Sequence, residues 1–317
     1  MSRILLTAIG SMAAAPVARR YQALGHTVFG CDIYPREWTA LAGELEFFQA
    51  RLATEGEPYV EQLREAVRQD KLDFLIPLTD PEVDALAPRK AEFRALGCTV
   101  CVPEERVAAL CRRKDTMNRF LAEKQVCRLI PTESAVSGQP CPFPFPAMVK
   151  PRSGRSSLGQ AVAADEKSYQ TALAGREDCI VQPFLEGDVF CVDVARDSAG
   201  QVRAAARQEL LRNKSGLGMT VEVLPDHPLE AVCAAIAEAV GLVGVVNMEF
   251  IRHGDDFFFL EVNPRFSGGV GFSMAAGMDF AEMMLCCHSC GSVEAFPAAP
   301  KHALLAREST IVLTQLR

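Results

Sequence analysis

The sequence predicts an α/β protein whose first third is a parallel sheet covered on both faces. Two features of residues 1–102 carry that reading: short apolar runs with strand character, and helical patterns between consecutive runs. Taken in order, "RILLTAIG", "TVFGCDIY", "LDFLIPL" and "CTVCVP" are the strands. "APVARRYQALG", "EPYVEQLREAVRQ" and "PEVDALAPRKAEFRALG" are the helices. Strands spaced by helices of this length build βαβ units, and such units need a parallel sheet with both faces packed. The turn at Gly10 follows the first strand, but "GSMAAA" lacks the glycines that bring backbone close to a pyrophosphate, which excludes a dinucleotide site there.

Pro103 marks a boundary. "EERVAAL" and "KDTMNRFLAEKQ" read as two helices. A proline-rich link, "IPTESAVSGQPCPFPFPAMVKP", then ends in the short strand "AMVK". A polar Gly/Ser loop, a small α/β unit and the strand "DCIVQPFL" follow, and from about residue 186 strand and helix alternate to the end. The expected division is residues 1–103 as a Rossmann-like domain, 104–181 as a small subdomain with linking helices, and 182–317 as the remaining core.

With 317 residues, 49% of them apolar and 23% charged, the chain is globular in composition. A net charge of −7 excludes the basic stripe of a nucleic-acid-binding surface. No apolar run reaches the ~18–20 residues of a membrane span. The start reads as a buried strand followed by a helix, not as a signal peptide. Twelve cysteines are scattered singly through apolar segments, as expected for reduced thiols in a cytoplasmic protein. The cluster Cys286, Cys287 and Cys290 continues a helical pattern, where adjacent ligands converge poorly on a tetrahedral ion, so packing is its expected role.

Four stretches carry chemistry. In "EFIRHGDDFFFLEVNPR", a three-residue turn at Gly254, Asp255 and Asp256 sets Glu249 opposite Glu261, with Asn263 on the same face. Like charges directly opposite destabilise a sheet, so a bound cation is expected, and oxygen ligands suit Mg²⁺, with Mn²⁺ as an alternative. A two-residue turn instead sets Glu249 opposite Leu260. Arg265 follows two residues after Asn263, placed for a carboxylate or a transferring phosphoryl group. The loop "KPRSGRSSLGQ" offers Lys150, Ser153, Gly154, Ser156 and Ser157 as a flap over phosphates. It lacks the Lys-Ser/Thr of a Walker A motif. Lys114 begins a helix that Asp115 is expected to cap, and a bound anion reconciles that lysine with the helix dipole. Lastly, "VQPFLEGDVFCVDV" is a hairpin whose backbone after Gln182 suits an adenine edge.

In this order, the pieces resemble the ATP-grasp superfamily, and most closely its carbamoyl-phosphate-synthase-like branch, over roughly residues 1–290. "LEVNPR" is the most specific element and "VKP" with its glycine loop the next. The resemblance implies an ATP-grasp fold: a Rossmann-like pre-ATP-grasp domain, a small α/β lid and a C-terminal α+β core. It implies Lys114 and Lys150 as phosphate-binding lysines, with Gln182, Pro183, Phe184 and Leu185 as the adenine hinge. Glu249, Glu261 and Asn263 become magnesium ligands, and Arg265 the contact to the acid or developing acyl phosphate, with Lys150 beside it. The family's ribose-binding glutamate is replaced by Val189. Asp188 is the adjacent candidate, but it needs a bulge to re-aim it.

The activity implied is a cytoplasmic, ADP-forming carbon–nitrogen ligase that joins a small acid, an amino acid by preference, to an amine. Its partners are small molecules, and a homodimer is compatible with it. Arg212 and Lys214 are candidates for the substrate carboxylate, and Asp80 or Glu82 for an ammonium group at the end of an N-domain strand. Two rivals stand beside this reading: phosphorylation of bicarbonate or another small acid in a carbamoyl-phosphate-synthase- or carboxylase-like reaction, and a degenerate nucleotide-binding module with a regulatory role.

Overall fold

The computed structural model describes residues 1–154 and 158–315. The chain opens with β1 (Arg3–Leu6), α1 (Ala14–Ala23), β2 (Thr27–Asp32), β3 (Glu46–Gln49), α2 (Glu57–Asp70), β4 (Phe74–Ile76), α3 (Asp80–Leu86), α4 (Lys90–Ala95) and β5 (Thr99–Val100). The five strands form a parallel sheet in the order β3-β2-β1-β4-β5. Sequence reading omits β3, and the reason is physical. "EFFQ" lies at the sheet edge with its first and last side chains exposed, so it shows neither a continuous apolar run nor alternation. The third predicted helix divides into α3 and α4 around Pro88, which cannot donate within a helix.

Two helices, α5 (Glu105–Arg112) and α6 (Lys114–Lys124), lead to the short β6 (Arg128–Leu129). A small antiparallel sheet follows, from β7 (Glu133–Ala135), β8 (Ala147–Pro151), β9 (Ala161–Ala163), α7 (Glu166–Leu173) and β10 (Cys179–Pro183), in the order β7-β10-β8-β9. Its own core gathers Val149, Tyr169, Leu173 and Val181.

The rest of the chain is β11 (Asp188–Arg196), β12 (Val202–Arg212), β13 (Gly218–Leu224), α8 (Pro228–Val240), β14 (Gly244–His253), β15 (Asp256–Asn263), α9 (Val270–Ala275), α10 (Phe280–His288) and β16 (Ala303–Ala306). Three antiparallel strands therefore run consecutively before the first helix, where strand and helix are expected to alternate. The large sheet has the order β16-β13-β12-β11-β14-β15-β6. One face packs on α8, and the same core takes Val107 and Cys111 of α5 and Met117 and Leu121 of α6. The opposite face meets the N-terminal domain. A single cluster joins Ile4, Val17 and Tyr21 to Phe280, Met283 and Met284, and the buried Tyr21 hydroxyl donates to the Ala281 carbonyl at 2.8 Å. The N-terminal sheet and the large sheet are thereby held by one core, which fixes the cleft between them.

All twelve cysteines are unpaired, and most are buried. Cys287 lies in the shared core. Among the described residues, no helix is long and apolar enough to cross a membrane.

The turn into β11 depends on Gly187. A Cβ there would lie 1.8 Å from the Arg252 carbonyl oxygen of β14. Main chain must move to relieve that contact, so Gly187→Ala should cost roughly 1–3 kcal/mol. Urea unfolding with an unchanged m-value and a lower midpoint is the expected result.

Candidate functional site

The turn between β14 and β15 has two residues, Gly254 and Asp255, because His253 pairs with Asp256. The expected three-residue turn is incorrect. Glu249 nevertheless pairs with Glu261, because the register shifts between Glu249 and Phe250. Phe250 opposes Phe259, so Leu260 is the extra residue of a β-bulge. Leu260 and Glu261 line the same small cavity, and Asn247 opposite Asn263 extends that face by one row. Across the sheet, Arg207, Cys191, Glu249 and Glu261 stand in register on four neighbouring strands.

The paired carboxylates are compensated from three sides. Asn263 Nδ2 donates to Glu249 Oε1 at 3.2 Å and to Glu261 Oε1 at 3.4 Å. Lys114 Nζ lies 3.0 Å from Glu261 Oε2, and Arg212 Nη2 lies 3.8 Å from Glu249 Oε2. Enclosure and the neighbouring Glu261 still push the Glu249 carboxyl up to about 7, against the opposing pull of Arg212. Among the described residues, no cluster of three or more His, Cys, Asp or Glu side chains forms a metal site. The donors here are two carboxylates and an amide. Turning the Asn263 amide end for end would present its oxygen in place of Nδ2 with no main-chain movement, giving up the Arg265 Nη2 bond to Oδ1. That oxygen-only set fits a hard divalent cation that keeps waters and phosphate oxygens as its other ligands.

Lys150 projects from β8 opposite Ile180 and is buried. Burial lowers its pKa to about 8, Glu261 opposes that, and Lys114 adds to it. Lys114 is the first residue of α6 and is also buried. Asp115 does not cap this helix, which has no side-chain cap. It pairs instead with Arg152 Nη1 at 2.7 Å. Arg152 also pairs with Asp178 at 2.6 Å and accepts the Lys114 N–H at 3.1 Å. That cation therefore fastens α6 to the small sheet. Lys114, Lys150, Gly154, Leu260 and Glu261 line a cavity of about 120 Å³. Ser153 is exposed, and Arg155, Ser156 and Ser157 lie outside the described residues.

At the hinge, the buried Gln182 side chain donates to Thr132 Oγ1 at 2.8 Å, and Phe184 N–H donates to the Pro146 carbonyl at 3.1 Å. Pro183 has no N–H, so Leu185 supplies the first free backbone donor among the described residues. Asp188 is a correction. No register shift interrupts the pairing of β11, so Asp188 shares the face of Phe190, which packs toward α8. It pairs there with Arg252, whose guanidinium lies over the Phe190 ring at 5.6 Å. Alternation puts Val189 on the cleft side with Cys191.

A larger cavity of about 510 Å³ lies between the N-terminal domain and the large sheet. It shares Leu158, Arg212, Ser215, Gly216, Glu249 and Glu261 with the smaller one. Arg265 and Asp80 both line it and are bound to each other, with Nε 3.1 Å from Oδ1 and Nη2 donating to Oδ2 at 3.2 Å. Asp80 thus holds an arginine in place of the expected ammonium group. Glu82 does not reach the cavity. It accepts from Thr79 N at 3.0 Å and Thr79 Oγ1 at 2.8 Å, closing a capping box at the start of α3. Arg212 lines both cavities, whereas Lys214 is exposed and joins neither wall.

Sequence reading also misses the floor of the large cavity. Arg207 is fully buried. It binds Asp193 at 2.6 Å, Glu209 at 3.2 Å and Ser267 at 3.2 Å, while Ser273 donates to Asp193 at 2.7 Å. Gly269 makes room for it, since a Cβ there would lie 2.6 Å from Arg207 Nη2. The available signal was a pair of charges at alternate positions, "RQE", inside a strand with apolar neighbours.

Residues 175–310 match a family model described as ATP-grasp in the biosynthetic pathway with Ter operon. A formate-dependent phosphoribosylglycinamide formyltransferase of Solidesulfovibrio magneticus is 26% identical over 286 residues, covering 83% of this chain and 69% of that protein. Among solved structures, biotin carboxylase from Campylobacter jejuni superposes with a TM-score of 0.72 at 16% identity, over 92% of this chain and 72% of that one. An L-amino acid ligase from Bacillus licheniformis gives 0.70 at 14% identity, over 90% and 73%.

The raised Glu249 carboxyl has a stability consequence. Its folded pKa of about 7 exceeds the ordinary 4.5, so the penalty is absent where both states are protonated and complete above about pH 7. In EDTA at pH 8, Glu249→Gln should raise stability by roughly 1–3 kcal/mol. The gain should shrink as the pH falls toward 5, as read by urea unfolding at the two pH values.

Proposed function

We propose that this chain, a member of the ATP-grasp superfamily, is an ATP-dependent ligase that joins a small carboxylic acid to an amine through an acyl phosphate. The observation carrying this reading is the shared wall of the two cavities. The smaller holds Lys114, Lys150 and the Glu249/Glu261 pair. The larger holds Arg265 and opens directly onto those carboxylates. A nucleotide's phosphates in the first are then adjacent to an acid in the second.

In the first step, a carboxylate oxygen attacks the γ-phosphorus and the bond to ADP breaks. Lys114 and Lys150 neutralise the phosphate oxygens, and Arg265 holds the acid. Mg²⁺ on Glu249, Glu261 and Asn263 would supply charge neutralisation between the phosphates. In the second step, the amine nitrogen attacks the acyl carbon, phosphate leaves and the nitrogen gives up a proton. Positioning and electrostatics carry most of the catalysis. The backbone N–H of Leu185 is the donor available to an adenine edge, and Val189 leaves the ribose without a carboxylate.

The relatives' names support an acid and a nitrogen-bearing partner: one names formate and phosphoribosylglycinamide, the other L-amino acid ligation. A cavity of about 510 Å³ is also larger than bicarbonate requires, which favours an organic acid over a carboxylase-like reaction.

Two measurements test this. Calorimetry should show ATP affinity lost in EDTA and in Glu261→Gln. With pooled amino acids and hydroxylamine in place of the amine, the protein should form a hydroxamate and release ADP in step. ADP release driven by bicarbonate alone, with no hydroxamate from any acid, would point to the carboxylase-like rival.

A further inference from the structure

Asp80 is the charged residue that the N-terminal domain contributes to the wall of the larger cavity, and it is 1% exposed. Its position is set twice over. The Thr79/Glu82 capping box fixes the first turn of α3, where Asp80 is the first residue. From the other side, Arg112 Nη1 stands 3.8 Å from Oδ2, and Arg112 is itself held by Asp84 at 2.9 Å. The carboxylate is therefore fixed before it meets Arg265.

Arg265 in turn has almost no freedom. Nη2 donates to Asp80 Oδ2 at 3.2 Å and to Asn263 Oδ1 at 3.3 Å, and Nε faces Asp80 Oδ1 at 3.1 Å. Nη1 donates to the Phe266 carbonyl at 3.0 Å. Asp80 Oδ1 accepts no hydrogen bond, so the Nε contact is an ion pair, and of the five guanidinium hydrogens the Nε–H and one on Nη1 have no acceptor among the described residues. One hydrogen bond and one ion-pair contact to the same carboxylate restrict the guanidinium's plane as well as its place.

Resting on the ligase reading above, we infer that Asp80 is a positioning residue. It holds Arg265 so that the unpaired Nη1–H is presented to the acid substrate, and it makes the N-terminal domain part of the acid subsite. Asp80 touches neither reactant and acts through the arginine. The structural alternative is that the pair merely ties two domains together. In that case loss of either partner would lower stability and nucleotide binding together.

A double-mutant cycle on the full chain, with the Kd for MgATP and the urea midpoint read on each variant, separates the two. The probes are MgATP, pooled proteinogenic amino acids as acids, and hydroxylamine as the trap. Asp80→Asn should lower the kcat for hydroxamate by roughly 10- to 100-fold, the usual cost of losing a group that orients a binding side chain. The Kd for MgATP should stay within about twofold. In the Arg265→Ala background, adding Asp80→Asn should change the rate no further, because the group it orients is gone. Arg112→Gln, which leaves the Asp80–Arg265 pair intact but loosens its support, should give a smaller fall of the same kind. It also serves as the test if Asp80→Asn does not fold. Additive effects in the cycle, or a wild-type rate in folded Asp80→Asn or Arg112→Gln, would overturn the inference and leave the ligase reading standing. Absence of hydroxamate from the wild-type protein with every acid would overturn both.

Discussion

Two carboxylates facing each other across a hairpin are the constraint around which this molecule is arranged. Glu249 and Glu261 are brought together by a β-bulge at Leu260 and held by groups from three separate segments: Lys114 of α6, Arg212 of β12 and Asn263 of β15. Like charges at this spacing are unfavourable in a sheet, and burial together with the neighbouring Glu261 pushes the Glu249 carboxyl toward its neutral form. Stability is given up at this one point, and under the proposed function these carboxylates would hold the cation.

The rest of the large sheet makes that arrangement rigid. Below the carboxylates, Arg207 with Asp193, Glu209, Ser267 and Ser273 forms a buried polar network. Such a network leaves few alternative packings. Its row runs through Cys191 to Glu249, so the arginine lies two strand spacings from Glu249, roughly 10 Å. The shared apolar core around Tyr21 and Met283 then sets how far the N-terminal domain stands from this floor, and hence the width of the larger cavity.

Much of this is legible in the sequence, for identifiable reasons. Buried parallel strands such as "RILL" announce themselves as apolar runs. "LEVNPR" and "VKP" put Glu261 and Asn263 on β15, Arg265 just beyond it and Lys150 on β8, and the structure brings all four to two adjoining cavities. Glu249 was paired correctly from a wrong turn. The two-residue turn and the bulge differ from the assumed three-residue turn by compensating amounts, and alternation alone cannot register a bulge. Asp188 is read from its place beside a motif position, Asp80 and Glu82 from the end of a strand, and Asp115 from the start of a helix. Each is committed instead to a partner distant in sequence or to a local cap, which no single-sequence pattern reveals. Arg207 and Glu209 are invisible for the same reason: their significance lies in long-range partners.

The shared wall between the two cavities has a consequence for inhibition. Arg212, Glu249 and Glu261 border both spaces, so the two cavities adjoin along those side chains. A single molecule long enough to cross that border would occupy both at once. Once its first half was seated, the second would bind as an intramolecular event, at an effective concentration set by the linker. Small fragments found separately for the two cavities are thus natural halves of one tight ligand, with Arg212 marking where the linker must pass.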